Sequence, residues 1–368
     1  MVCVSTKKHY NRRTICAVDL FAGAGGFSQA ARDIGIQVVA AVENNPNACK
    51  TYYANLIEGN PHPTKLFEND ITQLSPDEFI KSANLESAGV DLLMGGPPCQ
   101  GFSTHRINNA GVDDPRNELL LQYFNYLKAL KPRSFVVENV PGLLWDRHKS
   151  YLSKFYSLAA EAGYAIFAPQ IINAKDYGVP QNRKRVFILG FRDKTPIALQ
   201  WPPKPTHFAP QSTEVLVNGL PAWRPASDVF ACPVATGDPN NICMHHTPEM
   251  VKVFESTPPN GGSRHQSGRV LPCHREHNGH KDVYGRIDPS KPGPTMTTAC
   301  INPSKGRFLH PTEHHGISVR HAARFQTFPE DFIFHGGLMA SGIQVGNAVP
   351  IRLGRAVLTS VVQALENF

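Results

Sequence analysis

Paired cysteines, a long apolar run and a signal-type leader are all missing from this 368-residue chain. The eight cysteines stand singly, with no CxxC pair, which fits a reducing compartment and argues against a disulfide scaffold. No apolar stretch of about 20 residues stands out as a bilayer span, and Met1 to Arg13 lacks the core of an export signal. The expectation is a soluble, cytoplasmic protein with no membrane partner. Charged residues make up only 18%, against 41% hydrophobic, and the length suits one large domain plus a smaller one. That small charge is lopsided, at +7 and a pI near 9.0, which favours a polyanionic partner without identifying it.

A further absence lies in the first glycine-rich turn. Ile15 to Phe21 reads as a buried strand running into Ala22-Gly23-Ala24-Gly25-Gly26-Phe27-Ser28, with helical character from Gln29 to Ile34. Strand, glycine turn and helix form the first unit of a nucleotide-type α/β domain. The turn has no phosphate-binding lysine, and Asp19 precedes its glycines, where a carboxylate repels a pyrophosphate. An amino-acid-bearing nucleoside, whose ammonium group welcomes an acceptor, suits the turn better than a dinucleotide. A second strand, Val38 to Val42, ends in Glu43, near the ~20-residue spacing of a ribose-binding carboxylate. Asn69-Asp70-Ile71 offers another acidic strand end, either reaching an adenine or serving as a turn or cap.

The centre of the sequence is Gly95-Gly96-Pro97-Pro98-Cys99-Gln100-Gly101-Phe102-Ser103, following the apolar run Val90 to Met94. Proline and glycine end a strand abruptly there, so Cys99 is expected at a carboxyl edge, where open α/β sheets place their chemistry. Thr104 to Asn117 reads as a loop, and Glu118 to Leu130 as a helix facing Leu119, Leu120, Tyr123, Leu127 and Leu130 to the sheet. Ser134 to Asn139 repeats the strand-and-breaker pattern and ends in Glu138. Desolvation at such a strand mouth raises a carboxyl's pKa and lets it hold a proton near neutrality. After a helix from about Ser150 to Ala162, Tyr164 to Ile172 and Arg185 to Phe191 read as paired strands. Alternation is expected to turn Arg183 and Arg185 to one side, toward phosphate or substrate.

From Lys194 to about Lys281 the pattern of strands and helices lapses. Fifteen of the 31 prolines lie between Trp201 and Cys300, and ten of the 16 histidines between His207 and His315, so an irregular lobe is expected. Within it Asn260 to Arg269 is small, flexible and donor-rich, and Arg264 and Arg269 are candidate contacts for the polyanionic partner. Cys232, Cys243, His245, His246, Cys273 and His274 match no paired ligand knuckle, so no metal is expected.

These residues resemble the DNA (cytosine-5) methyltransferase family. The likeness is carried by Asp19 to Gly26, Gly96 to Ser103, Glu138-Asn139-Val140, Gln181 to Arg185, Arg320 to Pro329 and Gln344 to Pro350, six stretches in the family's order. Phe325 and Thr327 depart mildly from the commoner Leu and Gly of the fifth stretch. The resemblance implies a Rossmann-like, S-adenosylmethionine-dependent methyltransferase fold: an α/β domain with a mainly parallel twisted sheet from 14–193 and 318–368, plus a small irregular target-recognition lobe over 194–317. It implies that Cys99 adds to C6 of a cytosine flipped out of duplex DNA, that Glu138 holds the ring at N3, and that Arg185, with Arg183, contacts the flipped base.

By the same resemblance Phe21, Gly23, Gly25, Gly26, Glu43, Asn44, Asp70, Ile71, Pro98, Leu119, Asn347 and Ala348, with Asp19, line the cofactor site, S-adenosylhomocysteine being the product. Gln100 and Ser103 close over the vacated stack, and Arg286 positions the DNA backbone. The expected protein is a bacterial, cytoplasmic monomer, possessing or lacking a cognate restriction endonuclease on the same site. The alternatives are a tRNA-methylating enzyme of the same family, a non-catalytic DNA-binding regulator on the same fold, and a dinucleotide oxidoreductase.

Overall fold

The computed structural model describes residues 14–86, 89–98, 118–193, 196, 199–268 and 282–366. Eight strands form one sheet: β1 (Cys16–Leu20), β2 (Gln37–Glu43), β3 (Lys65–Glu68), β4 (Leu92–Gly95), β5 (Ser134–Asn139), β6 (Tyr164–Ile166), β7 (Gln170–Asn173) and β8 (Lys184–Arg192). The spatial order is β3-β2-β1-β4-β5-β8-β6, with β7 also on β8. The first five strands are parallel, whereas β8 lies antiparallel to β5 and carries β6 and β7 antiparallel to itself. This is the expected mainly parallel, Rossmann-like α/β sheet, and its strand order reverses between β1 and β4, the usual ligand crevice of such sheets.

Alternation along the strands sorts side chains to two faces. Ala17, Leu92, Met94, Val136, Phe187 and Leu189 join one apolar cluster, while Val18, Leu20, Leu93, Phe135, Val137 and Ile188 join another. The first face is covered by α1 (Gly26–Arg32), a helix that starts and ends earlier than the Gln29 to Ile34 stretch read from the sequence, and by α11 (Ile351–Glu366). Its small residues let the two helices approach closely: a Cβ at Gly354 would lie 2.8 Å from Ala30 Cβ. α2 (Pro46–Tyr52), capped by Asn45, leaves β2 toward β3. The second face receives α3 (Pro76–Ser82), α4 (Glu118–Leu130) and α5 (Lys149–Glu161). From α4 come Leu120, Tyr123 and Leu127, as expected, and also Phe124 and Tyr126. Tyr123 donates to the carbonyls of Leu93 (2.9 Å) and Val136 (3.2 Å), tying helix to sheet.

The middle of the chain has only short helices among its described residues: α6 (Thr213–Leu216), α7 (Ser227–Phe230) and α8 (Pro248–Ser256). Irregular structure was expected there, but much of this segment does not stand apart. Ala226, Val229, Ile287, Met296, Cys300, Ile301, Phe308 and Ile317 lie in the same cluster as Ala17 and Met94. α9 (Val319–Phe325) is capped by Ser318, and α10 (Gly337–Asn347) precedes α11. The stretch Gly337–Glu366 corrects the expectation of no long apolar run, being long and apolar enough by length and composition to cross a membrane, and it lies mostly buried within the fold, as core helices do.

Closure of the fold depends on Gly346, where a Cβ would lie 2.3 Å from backbone atoms of Thr297 and Thr298. Gly346→Ala is expected to destabilise the protein by about 1–3 kcal/mol, the usual cost of overpacking. Urea unfolding measures this, and a midpoint equal to wild type would show that the two segments separate freely.

Candidate active site

The carboxyl edge of the sheet brings together residues widely separated in sequence. β4 stops at Gly95, where a Cβ would lie 2.5 Å from Leu20 O, and the chain turns through Gly96-Pro97-Pro98. β4 and β5 are in register at Gly95 and Val137, so Gly96 comes beside Glu138, and its Cβ would lie 3.2 Å from Glu138 Oε2. Asn139 Nδ2 donates to Pro97 O at 3.3 Å and holds this turn from the neighbouring strand. Cys99, Gln100, Ser103 and Arg269 lie outside the described residues.

Glu138 is only 7% exposed, and Arg185 Nε approaches its Oε1 to 2.8 Å. The pair forms across antiparallel strands, with Glu138 facing Phe187 in register and Arg185 two residues along. Burial raises the Glu138 pKa, while the charges of Arg185 and Arg183 oppose it. The result is a carboxyl able to donate a proton to, or accept one from, a ring nitrogen.

Arg183 does something different from what alternation suggested. It lies just before β8 and is fully buried, and Nη1 donates to Met296 O (2.6 Å) while Nη2 donates to Gly346 O (2.8 Å) and Ala348 O (3.1 Å). A guanidinium closed in by carbonyls has no face for a nucleobase, so Arg183 is a structural anchor and Arg185 alone reaches the edge. The Gln181 and Gln326 side chains, to which the sequence reading gave no role, reinforce this anchor: Gln181 Nε2 donates to Gln326 Oε1 (2.9 Å) and Gln326 Nε2 to Ala348 O (3.0 Å).

At the switch point, Phe21 takes a left-handed φ of 58°, a costly conformation for a bulky residue that is typical of functional turns. Gly23 follows at φ 56°, and a Cβ there would meet nothing within 4 Å, so its backbone is open to a ligand. Glu43 ends β2, with Oε2 accepting from Gly23 N and Oε1 from Asn45 N, both at 2.8 Å. A carboxylate has about four lone-pair positions, so each oxygen retains capacity for a hydroxyl. Asn44, Pro98 and Asn347 are exposed, Ile71 and Ala348 are buried, and Leu119 is partly buried against the second face. Asp70 Oδ1 accepts from the Thr72 amide (2.9 Å) and hydroxyl (2.8 Å), the turn role weighed for it.

Gly25 and Gly26 each have a packing reason to be glycine. Gly26 serves the fold, since a Cβ there would lie 2.7 Å from Val349 O. Gly25 starts α1 at φ 90°, with Tyr52 and Leu56 where its Cβ would be. Asp19 is 1% exposed, and its Oδ2 accepts from the Ser28 hydroxyl at 2.6 Å, which accepts in turn from Tyr52 at 2.8 Å. No local pattern announces this chain of hydroxyls, because its members lie on three different elements. Burial, with Glu43 nearby, pushes the Asp19 pKa up to about 7.

The expected DNA contacts in the middle segment also need correction. Arg286 is 1% exposed, with Nε donating to Thr257 O (2.9 Å), Nη2 to Phe254 O (2.6 Å) and Nη1 to His310 O (2.9 Å) and to Glu313 O. It organises the loops around it. Arg264, also 1% exposed, sits in a turn closed by a Ser263–Gln266 capping box. Among the described residues no group of three or more His, Cys, Asp or Glu side chains is placed to hold a metal ion.

The sheet order, the strained glycine turn at the switch point and the carboxyl at the edge of β5 define a Rossmann-like methyltransferase class. Residues 15–363 match the model of the C-5 cytosine-specific DNA methylase family, and the chain belongs to that family. It is similar to the Type II methyltransferase M1.HphI of Haemophilus parahaemolyticus, at 31% identity over 95% of this chain and 87% of that protein. M.DdeI of Desulfomicrobium norvegicum, also a Type II methyltransferase, is 31% identical over 95% and 89%. Among solved structures, an Escherichia coli prophage protein described as a DNA modification methyltransferase has a TM-score of 0.70 at 23% identity, covering 96% of this chain and 99% of that one.

Asp19 yields a signed pH prediction. Its carboxyl keeps a proton in the folded state that the unfolded chain, with an ordinary value of 3.8, has released. Stability from this group is therefore present at low pH and lost as pH rises from about 4 to about 7. Asp19→Asn is expected to remove that slope, a difference on the order of a few kcal/mol between the ends of the range. Urea unfolding at pH 4.5 and pH 7.5 decides it, and identical pH slopes in variant and wild type would refute the assignment.

Proposed function

We propose that this DNA (cytosine-5) methyltransferase works by covalent catalysis through Cys99, with S-adenosylmethionine as methyl donor. The observation that carries the reading is the buried Glu138–Arg185 pair beside the Gly96-Pro97-Pro98 turn that leads into Cys99. C5 of cytosine is a poor nucleophile. Addition of the Cys99 thiolate to C6 pushes ring electrons toward C5, and Glu138 assists by protonating or hydrogen-bonding N3, with Arg185 orienting the carboxyl. When bound, S-adenosylmethionine supplies an electrophilic methyl group to C5 and leaves as S-adenosylhomocysteine. Loss of the C5 proton to a base then returns the electrons, breaks the C6–sulfur bond and frees the thiolate.

The glycine turn fits that cofactor. Gly23 gives a close approach and Glu43 accepts ribose hydroxyls. Phe21, Ile71, Pro98, Leu119 and Asn347 complete the proposed lining. A cytosine stacked in a duplex exposes no face to a thiol, so the base is flipped out, at a cost of a few kcal/mol. Gln100 and Ser103 fill the vacated stack, and residues 194–317 carry target recognition.

Likeness to Type II methyltransferases favours duplex DNA over tRNA and a modification role beside an endonuclease of the same site. The enzyme is proposed to act as a cytoplasmic monomer without a stable endonuclease complex. Cys99→Ala is expected to lower methyl transfer to duplex DNA by on the order of 10⁴-fold or more while S-adenosylmethionine still binds by calorimetry. Glu138→Gln is expected to lower it about 10²–10⁴-fold. Retained activity in Cys99→Ala would end the covalent mechanism, and faster transfer to tRNA than to duplex DNA would replace the substrate. Bisulfite sequencing of DNA from expressing cells then reads the target.

A further inference from the structure

The edge that carries Glu138 and Arg185 continues into a group of basic side chains that the proposed chemistry does not use. Residues 174–183 join β7 to β8, and Asn173 pairs with Lys184, so this connection lies at the same edge as the end of β5. Its turn residue Gly178, at φ 75°, is crowded on one side: a Cβ would lie 2.6 Å from His207 Cε1 and 3.1 Å from Arg352 Nη1. Arg352 comes from the first turn of α11 and donates to Gly178 O at 3.2 Å. Arg224 approaches from the loop before α7.

The grouping is electrostatically costly. Burial, Arg352 and Arg224 all disfavour a charge on His207, and Arg352 is itself opposed by burial, Arg224 and Arg355. Arg352 also stands at the amino end of a 16-residue helix, where the dipole repels a cation. Lys175 adds another charge over the Trp223 ring, 3.3 Å from its centroid. The nearby carboxylates are engaged elsewhere or only partly compensating: Asp228 pairs with Arg224 at 2.6 Å, Asp176 accepts from Trp223 Nε1 at 2.8 Å, and Asp33 lies 3.7 Å from Arg355. Three separated segments thus bring two guanidiniums and an imidazole N–H donor together beside the sheet edge, and an anion relieves the repulsion between Arg224 and Arg352.

We propose that His207, Arg224 and Arg352 form a phosphodiester subsite that takes a backbone phosphate of the bound DNA. The inference rests on the DNA-methylating reading above. Such a contact fixes register and orientation without reading sequence. Arg352→Gln keeps a donor for Gly178 O and removes the charge. It is expected to weaken binding of specific and non-specific duplexes alike, about 10-fold, and to reduce the slope of log K against log salt by about 1, leaving S-adenosylmethionine affinity unchanged. Arg224→Gln, which leaves Gly178 untouched, gives the same reading if Arg352→Gln melts early. If wild type binds duplex and both variants keep its salt slope, the subsite is refuted. If wild type binds no duplex, the DNA reading falls with it.

Discussion

A fully buried arginine holds this molecule closed. Arg183 lies where the sheet ends and the last third of the chain must be brought back, and its charge is balanced by main-chain carbonyls of Met296, Gly346 and Ala348. Removing a partner from such a buried cation leaves it uncompensated, which typically costs several kcal/mol. The carbonyls come from two segments, so the guanidinium fixes both against β8 at once. Gly346 and Gly26 are small for the same reason, since backbone passes where their side chains would be. The glycine turn at the switch point, the end of α10 and the sheet edge that carries Glu138 are therefore positioned by one interior contact.

Electrostatics at the edge divide into buried groups with opposite tasks. Glu138 is held in a dry site with Arg185 beside it, an arrangement that keeps a proton exchangeable. Asp19 is buried with Glu43 as its charged neighbour and takes its hydrogen bond from the Ser28 hydroxyl instead. The first can change its charge state during a reaction, whereas the second imposes a pH dependence on folding. Both follow from burial of a carboxyl, and the neighbour decides the outcome.

Much of the fold could be read from the sequence because alternation and breakers are local. Strands β1, β2, β4, β5 and β8 lie where apolar runs end in glycine, proline or a carboxylate, and Glu43 and Glu138 stand at strand ends as expected. The arginines were misread for a physical reason. Exposure is the default for a guanidinium, and nothing near Arg183, Arg264 or Arg286 in sequence announces the carbonyls or turns that enclose them. The Ser28–Tyr52 support of Asp19 was likewise hidden, being assembled from β1, α1 and α2.

The shared apolar cluster sets limits on how the specificity of such an enzyme can be transplanted. Asn240 is locked to Phe334 by two hydrogen bonds and Val319 N binds Ile242 O, so these are seams where the middle of the chain is stitched to the rest. Ala226, Val229, Met296 and Cys300 belong to the common core and would leave holes if exchanged. The stretch from just after Ile242 to Gly268 is tied in mainly by hydrogen bonds, Arg286 holding Phe254 O and Thr257 O and Arg307 holding Gly261 O and Gly262 O, so a foreign segment placed there must present the same acceptors. A chimera cut at the compositional boundaries near 194 and 317 would carry part of the core with it.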